Sequence, residues 1–200
     1  MMSRIKVNFR GLILFILVVS LSGCALTNWS PLRKVEYKDG ARRFTAEVPA
    51  GWMKFNLVNY FVMTRDGIVL EKIAVERRKF TQDLEFTKKK FSADMTPQEL
   101  AEIEIDNLKA NGKIDRVEIA SNKPASIDGR SAFRLEYSFF AEGGLKVRGT
   151  RYGFTEGDFI YRVYYEAADQ HYYDMYIQDF ERFIKSFKLF SNLNSSVPAP

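Results

Sequence analysis

Phe159-Ile160-Tyr161-Arg162-Val163-Tyr164-Tyr165 is the stretch whose reading decides the fold of this 200-residue chain. One set of alternate positions, Phe159, Tyr161, Val163 and Tyr165, is wholly apolar or aromatic, the period-two pattern of a strand with a buried face. The run is the last of three long alternating segments, 132–141, 146–154 and 159–167, which together predict an antiparallel meander. With four-residue loops at 142–145 and 155–158, the cross-strand rows become Phe133/Phe154/Phe159, Leu135/Tyr152/Tyr161, Tyr137/Thr150/Val163 and Phe139/Arg148/Tyr165. That register collects nearly every aromatic on one face. The opposite face then carries Glu136, Arg151 and Arg162 in one row, with Gly149 beside Tyr164 and Gly153 beside Ile160. A slip of one residue in either hairpin would break the arrangement, because successive side chains point to opposite faces.

Working outward, 117–121 reads as a further strand before an Asp128-Gly129 turn. Near the start, 43–48 alternates into Pro49-Ala50-Gly51-Trp52, and 57–64 and 68–77 flank Asp66-Gly67 as a hairpin. Thr96-Pro97-Gln98-Glu99 is a helix start: the Thr96 hydroxyl accepts from the third amide, Pro97 needs no donor there, and Glu99 completes a capping box. This helix should run to Asn111-Gly112 and bury Leu100, Ile103 and Leu108, leaving Glu99, Glu102 and Asp106 as a solvated stripe. A closing helix from Asp169 to about Lys188 carries Tyr173, Tyr176, Ile177, Phe180, Phe183, Ile184 and Phe187 at helical spacing. Such an aromatic stripe covers a sheet face as core and is not a cofactor box.

Four segments carry a resemblance to a known family. They are Phe44-Thr45-Ala46-Glu47-Val48-Pro49-Ala50-Gly51-Trp52, Ile127-Asp128-Gly129-Arg130, the 159–165 strand, and Phe180-Glu181-Arg182-Phe183-Ile184-Lys185-Ser186-Phe187. Over 35–189 the chain resembles the PsbP-like proteins, which include the photosystem II extrinsic subunit, the Ran-binding Mog proteins and small bacterial lipoproteins. The resemblance implies a single α+β domain, an antiparallel sheet of about six strands sandwiched between helices. It also implies a non-catalytic binding or assembly-assisting module.

The N-terminal segment supplies an address. Arg4, Lys6 and Arg10 precede ten residues, 12–21, in which only Ser20 is polar, and Leu21-Ser22-Gly23-Cys24 follows. The apolar run is too short to span a bilayer, which takes about 20 residues, and the order of basic head, apolar run and small-residue site is that of a secretory signal. The ending resembles a bacterial lipoprotein processing site. The expected organisation is a lipoprotein signal peptide over 1–23, a lipidated tether over 24–34, the folded domain over 35–190 and a disordered tail over 191–200. Cys24 would then be the first mature residue and carry acyl chains, each buried methylene adding roughly 0.8 kcal/mol to membrane binding. Ala25 after the cysteine predicts sorting to the outer membrane, facing the periplasm. Cys24 is the only cysteine, so the domain has no disulfide.

Charge and motifs narrow the function classes. Without Arg4, Lys6 and Arg10 the chain has 27 basic and 25 acidic residues, a net charge of +2, which calls for no nucleic-acid partner. The basic stretch from Arg77 to Lys90 reads as a solvated connection. His171 is the only histidine, so multi-histidine metal sites are excluded, and a His-dependent triad would have to pair it with Asp169 or Asp174. No GxSxG or HExxH accompanies it, and no cofactor is implied. The expected chemistry is confined to Glu136, Arg151, Arg162 and Tyr164, a shallow groove in which the two guanidinium groups would receive a carboxylate or phosphate from a ligand or partner. The leading expectation is a non-enzymatic, envelope-anchored module with an envelope protein partner. The alternative is a periplasmic carrier of a lipid or small amphiphilic or anionic ligand.

Overall fold

Central strands buried on both faces organise the fold, a computed structural model that describes residues 28–33, 36–56 and 60–190. The elements in chain order are β1 (Trp29–Pro31), β2 (Glu36–Asp39), β3 (Phe44–Glu47), β4 (Met53–Phe55), β5 (Phe61–Thr64), β6 (Glu71–Lys79), α1 (Pro97–Lys109), β7 (Ile114–Ile127), β8 (Arg130–Ala141), β9 (Lys146–Glu156), β10 (Phe159–Ala168), α2 (Tyr172–Ser186) and β11 (Lys188–Leu189). Eight strands form one antiparallel sheet in the order β1-β4-β5-β6-β10-β9-β8-β7, and β11-β3-β2 form a second, small one. The main sheet therefore exceeds the expected six strands, and 43–48 belongs to the small sheet. The added strands β1, β2, β4 and β11 are two to four residues long, too short for a period of two to show in sequence.

The meander is present, but one hairpin is displaced by one residue from the expected register. Phe133 pairs with Gly153, Leu135 with Arg151, Tyr137 with Gly149 and Phe139 with Val147. The cause lies in the turn. Ala141 N donates to Leu145 O at 2.9 Å, so only Glu142, Gly143 and Gly144 form the loop, and both glycines adopt left-handed φ values, 86° and 82°. In the next hairpin Phe159 pairs with Glu156, leaving the two-residue loop Gly157-Asp158; this displacement of two residues preserves the faces.

The aromatics are therefore divided between two faces instead of gathered on one. Tyr152, Phe154, Tyr161, Val163 and Tyr165 join Phe180, Phe183 and Phe187 of the closing helix region in one core, to which Phe44 of the small sheet also belongs. Phe133, Leu135, Tyr137 and Phe139 face the other way, against Leu100, Ala101, Ile103 and Leu108 of α1. The helix start is as the sequence predicts: the Thr96 hydroxyl accepts from Glu99 N, and the Glu99 carboxylate accepts from Thr96 N at 2.7 Å. Of the expected solvated connection 77–90, Arg77 to Lys79 belong to β6 and pair with β10, and the rest is tied to α1, since Phe86 N donates to Asn107 Oδ1 at 3.0 Å and Leu84 is buried in the same core.

Gly149 and Gly153 have a structural task in this register. A Cβ on Gly153 would collide with the Phe133 ring, and one on Gly149 with the Tyr137 ring, because both rings lie flat across the neighbouring strand. Gly153→Ala is expected to cost about 1–3 kcal/mol through overpacking. Urea unfolding checks this: the midpoint should fall at unchanged slope, and the double variant with Phe133→Leu should lose less than the two single changes together.

Candidate functional site

Arg151 on β9 and Arg162 on β10 do lie near one another, on the face covered by α1, but they meet a different carboxylate from the one expected. Cross-strand pairing places Arg162 beside Glu76 of β6, and Glu166 beside Lys72, so opposite charges are neighbours by register. Arg151 sits beside Tyr164, its guanidinium 4.9 Å from the ring centre. Glu104 descends from α1 between the arginines, its Oε2 2.6 Å from Arg151 Nη1 and its Oε1 3.4 Å from Arg162 Nη1. Arg151 Nη2 also lies 3.4 Å from Glu166 Oε1 and donates to the Tyr137 hydroxyl at 3.2 Å. Tyr137 in turn donates to Glu166 Oε1 at 2.6 Å, and Lys72 Nζ lies 2.8 Å from Glu166 Oε2. Arg162 also pairs with Glu76, which accepts from the Tyr164 hydroxyl at 2.8 Å.

Three cations, Lys72, Arg151 and Arg162, are thus matched by three carboxylates, Glu76, Glu104 and Glu166. Glu104 is fully buried, and Arg151 and Arg162 are 7% and 6% exposed. Burial alone would raise the Glu166 carboxyl, but Lys72 and Arg151 outweigh it and lower it from 4.5 to about 2. Burial likewise works against ionisation of Glu76, and the arginines overcome it and hold this carboxyl below its usual range. Burial pushes the Tyr137 and Tyr164 hydroxyls up, so both act as neutral donors.

The expected groove is corrected on two counts. Glu136 is on the opposite face, where its carboxylate pairs with Arg134, which also reaches Glu181 of α2 at 3.0 Å; the one-residue displacement of the β8–β9 hairpin put it there. The space above Gly149 is filled by the Tyr137 ring, and Tyr164 is buried with Val62 and Ala74. Arg151, Arg162 and Tyr164 are therefore brought together inside a closed charge cluster, with α1 as its lid. The sequence reading missed Glu104, Glu76, Glu166, Lys72 and Tyr137. Glu104 was detectable, since it lies four residues from both Leu100 and Leu108 on the buried face of α1.

His171 stands at the N-terminus of α2 with a left-handed φ of 79° and makes no capping hydrogen bond through its side chain. Asp169 is engaged by Lys146 at 3.1 Å and Arg148 at 3.5 Å, and Asp174 by Arg148 at 3.0 Å, so neither carboxylate orients the imidazole. Among the described residues no group of three or more His, Cys, Asp or Glu side chains is arranged to hold a metal ion. Cys24 lies outside the described residues.

The order of strands, the helix over each face and the small accessory sheet can be set against solved structures. The cyanobacterial PsbP of Synechocystis sp. PCC 6803 matches over 84% of this chain and 96% of its own, with a TM-score of 0.54 at 16% identity. The chain has the PsbP-like fold. The Ran-binding protein Mog1p of Saccharomyces cerevisiae matches over 80% of this chain and 96% of its own, with a TM-score of 0.53 at 11% identity. No family model matches the sequence, and no curated protein matches it. Within the PsbP-like fold of this chain, the charge cluster lies between α1 and the main sheet.

The cluster gives two expected outcomes. Glu104→Gln leaves two buried guanidinium groups short of a carboxylate and should cost about 3–5 kcal/mol, whereas Glu136→Gln on the part-exposed pair should cost under about 1 kcal/mol; chemical denaturation of both variants measures the contrast. Because Glu166 binds its proton less readily folded than unfolded, its contribution is complete above about pH 4.5 and is lost as pH falls toward about 2. Thermal unfolding followed from pH 6 to pH 2 should show that decline, and it should be shallower in Glu166→Gln.

Proposed function

We propose that this chain is an envelope-anchored bacterial lipoprotein whose folded domain is a non-enzymatic protein-binding or assembly-assisting module. The observation that carries the module reading is the closed charge cluster: the buried arginines spend their charge on Glu76, Glu104 and Glu166 beneath α1, so recognition falls to the outer surface. A protein of the same fold is named as Ran-binding, which supports protein recognition as a use of this scaffold without carrying over that partner. The carrier alternative has less in its favour, since Phe180, Tyr165 and Phe154 fill the space between α2 and the sheet at zero exposure. Among the described residues no helix is long and apolar enough to cross a membrane, so an anchor at Cys24 would be the attachment. That anchor rests on Leu21-Ser22-Gly23-Cys24, and placement in the outer membrane rests on Ala25.

Two measurements test the reading separately. Cys24→Ser should move the protein from the membrane to the soluble fraction of a lysate and remove the acyl mass, which intact-mass spectrometry reads directly. Crosslinking in native envelopes should then recover one discrete protein partner with the acylated protein. Recovery of the monomer alone at every crosslinker length would count against the module.

A further inference from the structure

On the face of the main sheet that α2 covers, away from the buried cluster, the β9–β10 turn, the β7–β8 turn, the loop before β3 and the end of β11 enclose a cleft of about 490 Å³. Three arginines line it, Arg43, Arg77 and Arg130. Arg130 is matched: its Nε donates to Glu156 Oε2 at 2.7 Å and its Nη1 to Asp128 Oδ2 at 2.5 Å. Arg77 is not. Its guanidinium lies over the Phe159 ring at 3.5 Å and within 5.9 Å of the Tyr161 ring centre, while its Nε is buried with no acceptor. Among the described residues no carboxylate forms an ion pair with Arg77 or with Arg43. The one hydrogen bond from the Arg43 side chain is long, 3.4 Å from Nε to Phe190 O. The remaining acid of the cleft, Asp158, is exposed at its rim.

The Arg43 backbone adds a second observation. Its φ is 62°, a left-handed conformation that arginine seldom adopts, and it is held there by Arg43 N to Asp39 O at 2.8 Å and Phe190 N to Arg43 O at 3.0 Å. The side chain of this residue lines the cleft together with Tyr161. Such conformations persist where neighbouring structure enforces them, and they gather at ligand sites.

A planar guanidinium stacked on a ring and lacking a carboxylate partner is suited to a bidentate oxyanion. The walls supply the other half of a recognition surface, because Phe159, Tyr161 and Phe190 are aromatic. We propose that this cleft binds a small organic anion, its phosphate or carboxylate head held by Arg77 and Arg43 and its apolar body laid against Phe159, Tyr161 and Phe190. The proposal stands or falls independently of the anchor at Cys24.

The test is calorimetric titration of the full-length acylated protein in neutral detergent at fixed ionic strength, with phenyl phosphate as the probe. Saturable one-to-one binding is expected, tighter than that of inorganic phosphate. Arg77→Gln and Arg43→Asn should each weaken it at least tenfold; asparagine is chosen at position 43 because it tolerates the left-handed backbone. Arg65→Gln is the control, since Arg65 stacks on Tyr176 at 5.5 Å elsewhere and also forms no ion pair among the described residues. It should leave the affinity unchanged. If Arg77→Gln does not fold, Arg43→Asn carries the test alone. Competition by a short-chain phosphatidylglycerol would identify the phosphate as a lipid headgroup, and its absence would point to a free metabolite. The proposal is overturned if phenyl phosphate does not saturate, if both cleft variants keep wild-type affinity, or if Arg65→Gln loses as much as they do.

Discussion

Phe133 and Tyr137 lie flat across Gly153 and Gly149, and that close approach is the constraint on which both faces of the sheet depend. Any side chain at either glycine would lift the rings and separate α1 from β8. The approach exists because the loop before β9 closes over three residues, with Gly143 and Gly144 both left-handed. A loop one residue longer would turn β8 over relative to β9. Phe133, Leu135, Tyr137 and Phe139 would then point toward α2, and α1 would lose the β8 side chains from its core, keeping Val147 and Ile160.

The same parity creates the charge cluster. With Leu135 opposite Arg151, the arginine projects toward α1, where Glu104 meets it. With Arg162 opposite Glu76 and Glu166 opposite Lys72, the remaining charges are paired across adjacent strands. Burying Glu104, Glu166, Arg151 and Arg162 is costly, and the cost is offset because each has an oppositely charged partner and the Tyr137 and Tyr164 hydroxyls add hydrogen bonds, although the Nε atoms of both arginines are left without an acceptor. Such a cluster fixes the angle and height of α1 over the sheet. It is a joint between layers, and it leaves the outer surfaces to differ without disturbing the core.

Those surfaces are where this chain departs from its own interior. Inside, every arginine of the cluster has a carboxylate; at the end of the sheet, Arg77 and Arg43 form no ion pair among the described residues and line a cleft with Phe159, Tyr161 and Phe190. The contrast is between charge used to hold layers together and charge held ready.

Much of this was legible in the sequence. The alternation of 132–167 announced the meander, Thr96-Pro97-Gln98-Glu99 announced the start of α1, and the spacing from Tyr173 to Phe187 announced the closing helix, because each is a local pattern set by the period of its element. Even Glu104 stood in view at helical spacing from Leu100 and Leu108. The proposed anchor at Cys24 rests on sequence alone, because that residue lies outside the described ones. What only the tertiary structure decided was the parity of one turn and everything downstream of it: which face received Glu136, which helix received Arg151 and Arg162, and which rings lay over glycine. Loop closure over three or four residues depends on two backbone conformations at Gly143 and Gly144 that residue identities permit but do not choose. The cleft at Arg43 and Arg77 was equally out of reach, since it joins residues from five separate segments, and no spacing along the chain records their meeting.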